Sequence, residues 1–204
     1  MAKNKIQERL ELIGKVSTKL GSRGSFLDQI QYLMSEVCDV LQTDACVIRE
    51  LKNDHLKLMS MYGINEKYIL PYYPANKGLA ERLISTKKPV SVLRAEKNPV
   101  TKDIHQQTLE DKNLFRFVSF AGAPMIAQGE VVGVFGVYLI DEERVFPEED
   151  LELLQIISNA AGLALVNEEI IHKFKSAKPN LRRKIIDILR EESDQITEER
   201  QANS

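Results

Sequence analysis

Tryptophan is absent from this 204-residue chain, and cysteine occurs only twice and histidine three times. No apolar run approaches the roughly 20 residues needed to cross a bilayer, so no membrane partner is expected. The opening segment MAKNKIQERLELI has no continuous apolar stretch and does not read as a secretory signal. Cys38 and Cys46 are too few for a disulfide framework or a metal knuckle and are expected as reduced thiols of a cytoplasmic protein. His55, His105 and His172 are scattered over a hairpin link, a polar insertion and a helix end, which makes no metal cluster. An excess of one charge is missing as well: 28 basic residues stand against 30 acidic ones. A surface that neutralises phosphates must be basic, so nucleic acid is not an expected partner. No Ser/His/Asp set, Walker loop or zinc spacing occurs, and the chain is not expected to be an enzyme.

What is present suits a folded domain, since 43% of the residues are hydrophobic and 28% charged. Residues 3–20 carry Ile6, Leu10, Ile13, Val16 and Leu20 as a narrow stripe on a charged helix. Such a stripe suits a coiled-coil seam between two copies. A second helix over about 25–42 has the wider face of Phe26, Ile30, Leu33, Val37, Val40 and Leu41, which suits packing on a sheet. Strands follow at Ala45–Leu51 and Leu56–Tyr62, joined through Lys52-Asn53-Asp54-His55. A segment with Tyr68, Tyr72 and Tyr73 leads to a helix over about 77–86 and a short strand at Pro89–Leu93. Residues 94–116 are polar and irregular, with helical character near 100–112. Strands at 117–127 and 130–140 precede a long helix from Pro147, whose Glu148, Glu149 and Asp150 oppose the positive end of its dipole. Its apolar positions include Leu153, Ile156, Ile157, Ala160, Ala164, Ile171 and Phe174, and a last charged helix is expected over 181–200. The expected organisation is a dimerisation helix (1–24), a domain (25–175) and a charged C-terminal helix and tail (176–204).

The stretch FAGAPMIAQGEVVGVFGVYLIDE, residues 120–142, carries the most information. It reads as a hairpin about the polar link Ala127-Gln128-Gly129-Glu130. A sheet with one wet face would alternate apolar and polar residues. This hairpin instead places Val132, Val134, Tyr138 and Ile140 on one face and Val131, Phe135, Val137 and Leu139 on the other. Both faces must therefore be covered. Helices can cover one; only the insertions at 64–88 and 94–116 remain to cover the other. A sheet roofed by loops and short helices, with small residues beneath, makes a small-molecule pocket. Ala121, Gly122, Ala123, Gly133 and Gly136 serve either that pocket or close helix packing, and both uses are compatible.

The run VSFAGAPMIAQGEVVGVFGVYLIDEERVFPEEDLELLQIISNAAGLALVNEEII resembles the C-terminal half of a GAF domain. LQTDACVIREL, KGLAERLISTKKPVSV and the tyrosine-rich insertion match the family's first strand, pocket helix and third strand in kind and order, so the resemblance spans about residues 25–172. It implies an α+β fold: a central six-stranded antiparallel sheet with helices on one face and a loop- and helix-roofed pocket on the other. It also implies a regulatory module that binds a small molecule and signals through dimerising terminal helices, of the kind found in bacterial two-component or second-messenger signalling.

The residue patterns that mark the family's known ligands are missing from this chain. Residues 64–116 hold no cysteine, so no covalent bilin is expected. Ile140-Asp141-Glu142-Glu143-Arg144-Val145-Phe146 lacks the Asn-Lys pair of cyclic-nucleotide binders. Cys38 and Cys46 do not form the relay of a methionine sulfoxide reductase. Haem is not expected, although His105 lies where a lid ligand could sit. The candidate ligand-binding set is Tyr62, Tyr72 and Tyr73 as aromatic walls, Arg82 as an anion clamp, Ser119 as a hydrogen-bonding group, and His105, Phe117 and Ala121. The expected partners are a second copy of the chain, an unidentified small molecule, and a signalling output carried in trans or on a longer chain. A ligand-free dimerisation scaffold, its pocket filled by Phe117, Phe135 and the tyrosines, is the alternative.

Overall fold

The computed structural model describes residues 2–22, 24–95, 97–98, 101, 115–176 and 183. His105, the helical stretch near 100–112 and the helix expected at 181–200 lie outside the described residues. The chain divides into two compact units, residues 1–166 and 167–204.

In the first unit, α1 (Ala2–Leu20) and α2 (Phe26–Leu41) precede a six-stranded sheet, and α4 (Glu148–Ser176) begins behind it. The strands are β1 (Ala45–Lys52), β2 (His55–Tyr62), β3 (Tyr72–Pro74), β4 (Val90–Val92), β5 (Ser119–Ala127) and β6 (Glu130–Leu139), with α3 (Gly78–Thr86) between β3 and β4. Every pairing is antiparallel, in the order β3-β2-β1-β6-β5-β4. The β5–β6 hairpin closes through Gln128 and Gly129, both at positive φ, the backbone that a two-residue turn between right-twisted strands requires. Within the second unit, the end of α4 carries the i,i+4 pair Glu169–Lys173 at 3.9 Å.

Both faces of the sheet are dry. Cys46, Ile48, Ala121, Ala123, Met125, Phe135, Val137 and Leu139 pack against α1, α2 and α4 in one core. On the other face Leu56, Val90, Val92, Phe120 and Val134 meet Leu79, Ala80 and Leu83 of α3 in a second. The small residues serve both faces. Gly122 and Gly136 pair across β5 and β6 and floor the second core: a Cβ at Gly136 would lie 2.7 Å from Phe120 Cε2. A Cβ at Gly162 of α4 would lie 3.2 Å from Met125 and from Val132, so that glycine sets a close helix–sheet approach.

Several expectations are corrected. β3 is a strand where the tyrosine segment showed no strand pattern. Its three residues end in Pro74, which an edge strand tolerates because one side of it needs no N–H donor. Val132 does not share a face with Val134 and Tyr138. A bulge opposite Met125 and Ile126 makes Val132 the extra residue and turns it toward α4. Along α1 the apolar stripe divides: Leu12 and Val16 enter the chain's own core, Ile13 and Leu20 pack at its margin, and Ile6 and Leu10 stay exposed. Arg9 pairs with Asp150 at the start of α4, and Lys15 reaches Glu36 of α2 at 2.7 Å, holding α1 in that orientation. Ile156, expected on the packed face of α4, is half exposed, while Leu154, Ser158 and Ala161 are buried.

Candidate functional site

The open space lies on the face away from α1 and α2. Strand alternation sends Val47 and Arg49 of β1 and Val134, Gly136 and Tyr138 of β6 toward it, with Leu56 of β2 and Phe120 of β5 beside them. The roof is made by Tyr68–Leu70, Tyr73, the face of α3 carrying Leu79, Ala80 and Leu83, and Phe115 and Phe117. A backbone bond from Phe115 N–H to Tyr68 C=O (2.8 Å) joins the two ends of that roof. Together they line a half-open cavity of about 160 Å³.

Aromatic rings dominate one wall. Tyr138 stands edge-on to Phe115 (centroids 5.3 Å apart, 87°) and to Phe117 (5.1 Å, 71°), with Phe120 tilted against it at 5.1 Å. Among the described lining residues Arg49 alone carries a full charge. Its Nη1 donates to the Leu70 C=O at 2.9 Å and, weakly, to the Leu56 C=O at 3.4 Å. No described carboxylate pairs with it. Burial lowers the Arg49 pKa from its ordinary value. Burial also raises that of Tyr73, and pushes Tyr138 up to about 12 against the opposing pull of the Arg49 charge, so both phenols are neutral donors at physiological pH.

Of the eight candidates from the sequence, the structure brings Tyr73 and Phe117 to this cavity. Tyr62 ends β2, opposite Cys46, and Tyr72 points to solvent from edge strand β3. Arg82 is exposed, because α3 buries the face formed by Leu79, Ala80 and Leu83 and turns position 82 outward. Ser119 is fully buried elsewhere: its Oγ donates to the Glu142 C=O (3.0 Å) and accepts from Arg144 N–H (3.1 Å), pinning the β6–α4 link. Ala121 lies in the helix-side core, since its neighbour Phe120 takes the cavity-facing position. His105 is not among the described residues. The cysteines are buried away from the cavity, where burial pushes the Cys46 thiol upward. Phe135 belongs to the helix-side core and does not enter the pocket.

Sequence reasoning missed Arg49, Tyr138, Phe120 and Phe115. A signal existed for Arg49. In ACVIREL it has the same parity as Val47 and the opposite parity to Cys46 and Ile48, which places it on the side of the sheet away from the helices. Tyr138 had already been separated from Phe135 by alternation. Phe115 gave no such signal, because it lies in irregular backbone before β5.

An antiparallel sheet with helices behind it and an aromatic-walled cavity in front defines an α+β module of the kind that holds small molecules on a sheet face. The chain belongs to the GAF domain family, whose sequence profile matches residues 26–165. GAF domains are a family of small-molecule-binding sensory and regulatory modules, in general not catalytic. The fold is similar to the GAF domain of a phosphoenolpyruvate-protein phosphotransferase from Coxiella burnetii (TM-score 0.70, 18% identity, 81% of this chain and 97% of that one). It is also similar to a free methionine-R-sulfoxide reductase from Neisseria meningitidis in complex with its substrate (0.65, 12%, 80% and 91%). A third similar structure is the phycoerythrobilin-bound GAF domain of a cyanobacterial phytochrome (0.65, 17%, 81% and 98%). No curated protein matches the sequence.

Proposed function

We propose that this protein is a cytoplasmic, homodimeric sensory module that binds a small molecule in the α3-roofed cavity and passes the binding event through its terminal helices to an output domain or partner. The cavity itself carries the reading: about 160 Å³ bounded by six aromatic side chains and one guanidinium is a pocket in composition, with a small number of polar groups on an apolar wall. A ligand can signal only through differential affinity for two arrangements of the protein. The roof is the part able to supply that difference, because it is built from a short 3₁₀ turn, a three-residue strand and a nine-residue helix. No described helix is long and apolar enough to cross a membrane.

Native mass spectrometry of protein purified from its own host tests the proposal. A dimer retaining a stoichiometric non-covalent mass supports the sensor. A ligand-free scaffold is the second reading, favoured by the cluster of Phe115, Phe117, Phe120 and Tyr138 that already fills one side of the space. A dimer with no added mass that no metabolite stabilises against heating selects it.

A further inference from the structure

Resting on the pocket reading, the chemistry around Arg49 narrows the ligand class. A guanidinium presents five N–H donors. The two hydrogen bonds of Arg49 both leave from Nη1, so Nε and Nη2 have no acceptor among the described residues. Those two groups form one edge of the guanidinium plane, the fork that takes the two oxygens of a carboxylate in parallel. Beside it, the hydroxyls of Tyr73 and Tyr138 likewise make no hydrogen bond among the described residues, although both side chains line the cavity. Both of those guanidinium nitrogens reach the open cavity and are not sealed against the protein, so a bound anion would supply the acceptor that the described residues do not.

The rest of the wall limits the anion. Its body must be apolar, since Leu79, Leu83, Phe117, Phe120 and Val134 surround the remaining space. A ring-sized body fits it, because a cavity of about 160 Å³ is close to the ~150 Å³ apolar cavity known to admit benzene. Among the described lining residues no aspartate or glutamate is placed to receive the ammonium of an amino acid, which favours an apolar body. One guanidinium matches one negative charge, which favours a carboxylate over a phosphate dianion. We propose that the pocket binds a compact monocarboxylate, its ring-sized apolar body against Phe117, Phe120 and Leu83 and its carboxylate on the free edge of Arg49, with the Tyr73 and Tyr138 hydroxyls as further donors.

The test is calorimetric titration of the full chain with benzoate, phenylacetate and 3-phenylpropionate, each beside its uncharged amide, and with L-phenylalanine. At least one acid binds ten- to a hundred-fold more tightly than its amide, the range a charge-assisted fork supplies. L-Phenylalanine binds more weakly than 3-phenylpropionate. Arg49→Gln, checked for folding by its thermal melt, removes the acid–amide difference and leaves amide binding in place. If Arg49→Gln does not fold, the acid–amide comparison on the native protein still decides. Amides binding as well as acids, or phenylalanine binding as well as phenylpropionate, overturns the monocarboxylate class and leaves the pocket reading standing. Binding of neither acids nor amides overturns the monocarboxylate class too, and the pocket reading then rests on the mass-spectrometric test alone.

Discussion

At residue scale, the pocket depends on a missing side chain as much as on those present. Gly136 faces Gly122 across the β5–β6 pair, and the Phe120 ring and Tyr138 hydroxyl occupy the room that a Cβ would take. In Gly136→Ala the new methyl would stand 2.7 Å from Phe120 Cε2 and 3.1 Å from Tyr138 Oη, so the Phe120 ring must shift and the Tyr138 hydroxyl must give way slightly, which alters the cavity wall. Overpacking of this kind costs about 1–3 kcal/mol. The variant is expected to melt at a lower temperature and to lose affinity for any pocket ligand, measured by thermal denaturation with and without the acids above. Unchanged binding would place the ligand elsewhere. This scale was the least legible in the sequence. Spacing along β6 separated Tyr138 from Phe135, but it could not tell that Phe120 would lie over a glycine pair, because that depends on register between strands. Arg82 and Arg49 show the same limit. Composition offered several arginines, and only the parity of a buried strand distinguishes the one that faces the cavity from one that faces water.

At element scale, α1 is a working part of the domain. Leu12 is 1% exposed and Val16 2%, both within the helix-side core, whereas Ile6 is 59% exposed. Leu12→Ala is expected to cost roughly 2–5 kcal/mol in urea unfolding, the range for emptying a buried leucine site, whereas Ile6→Ala should stay within about 0.5 kcal/mol. Equal, small effects would mean that α1 is an appendage. Periodicity found this helix to within a residue and found β1, β2, α3, β5 and β6 nearly as well, because long amphipathic or two-faced segments have few alternatives. On α1 it named Ile13, Val16 and Leu20, which pack on the core, but not Leu12, for a physical reason: Ile6-Leu10-Ile13-Val16-Leu20 and Leu12-Ile13-Val16-Leu20 are neighbouring faces of one helix. Which is buried follows from the partner, fixed here by Arg9–Asp150 and Lys15–Glu36. β3 escaped because three edge residues have no periodicity to detect. The β6–α4 link was legible for what it lacks, but its role comes from the fold. Arg144 Nη2 donates to the Leu41 and Gln42 carbonyls at 2.8 and 2.9 Å, satisfying the C-terminal end of α2, and Phe146 is buried as an anchor.

For the whole molecule, the proposed homodimer needs a surface, and the apolar side chains left uncovered on the described helices are the candidates for it. Ile6 and Leu10 of α1 and Ile156 and Leu163 of α4 are each at least half exposed, and Ile156, Leu163 and Ile170 recur every seven residues. A seven-residue repeat is the spacing that keeps one helix face against a parallel or antiparallel partner helix. Isoleucine and leucine at those positions add little to the stability of a monomer, so their replacement separates folding from association. The double variant Ile156→Glu, Leu163→Glu places like charges on that repeat in both copies and buries nothing new within one chain. Its melting temperature, compared at a concentration where the native protein is dissociated, should match that of the native protein, as exposed substitutions usually shift stability by no more than about 0.5 kcal/mol. Its mass by light scattering should fall from twice the 23.2 kDa of one chain to that of a single chain. A native protein that is itself a monomer at all concentrations removes the homodimer from the proposal. A double variant that remains dimeric moves the interface away from the exposed α4 repeat, which leaves α1, with Ile6 and Leu10, as the surface through which two pockets would be coupled.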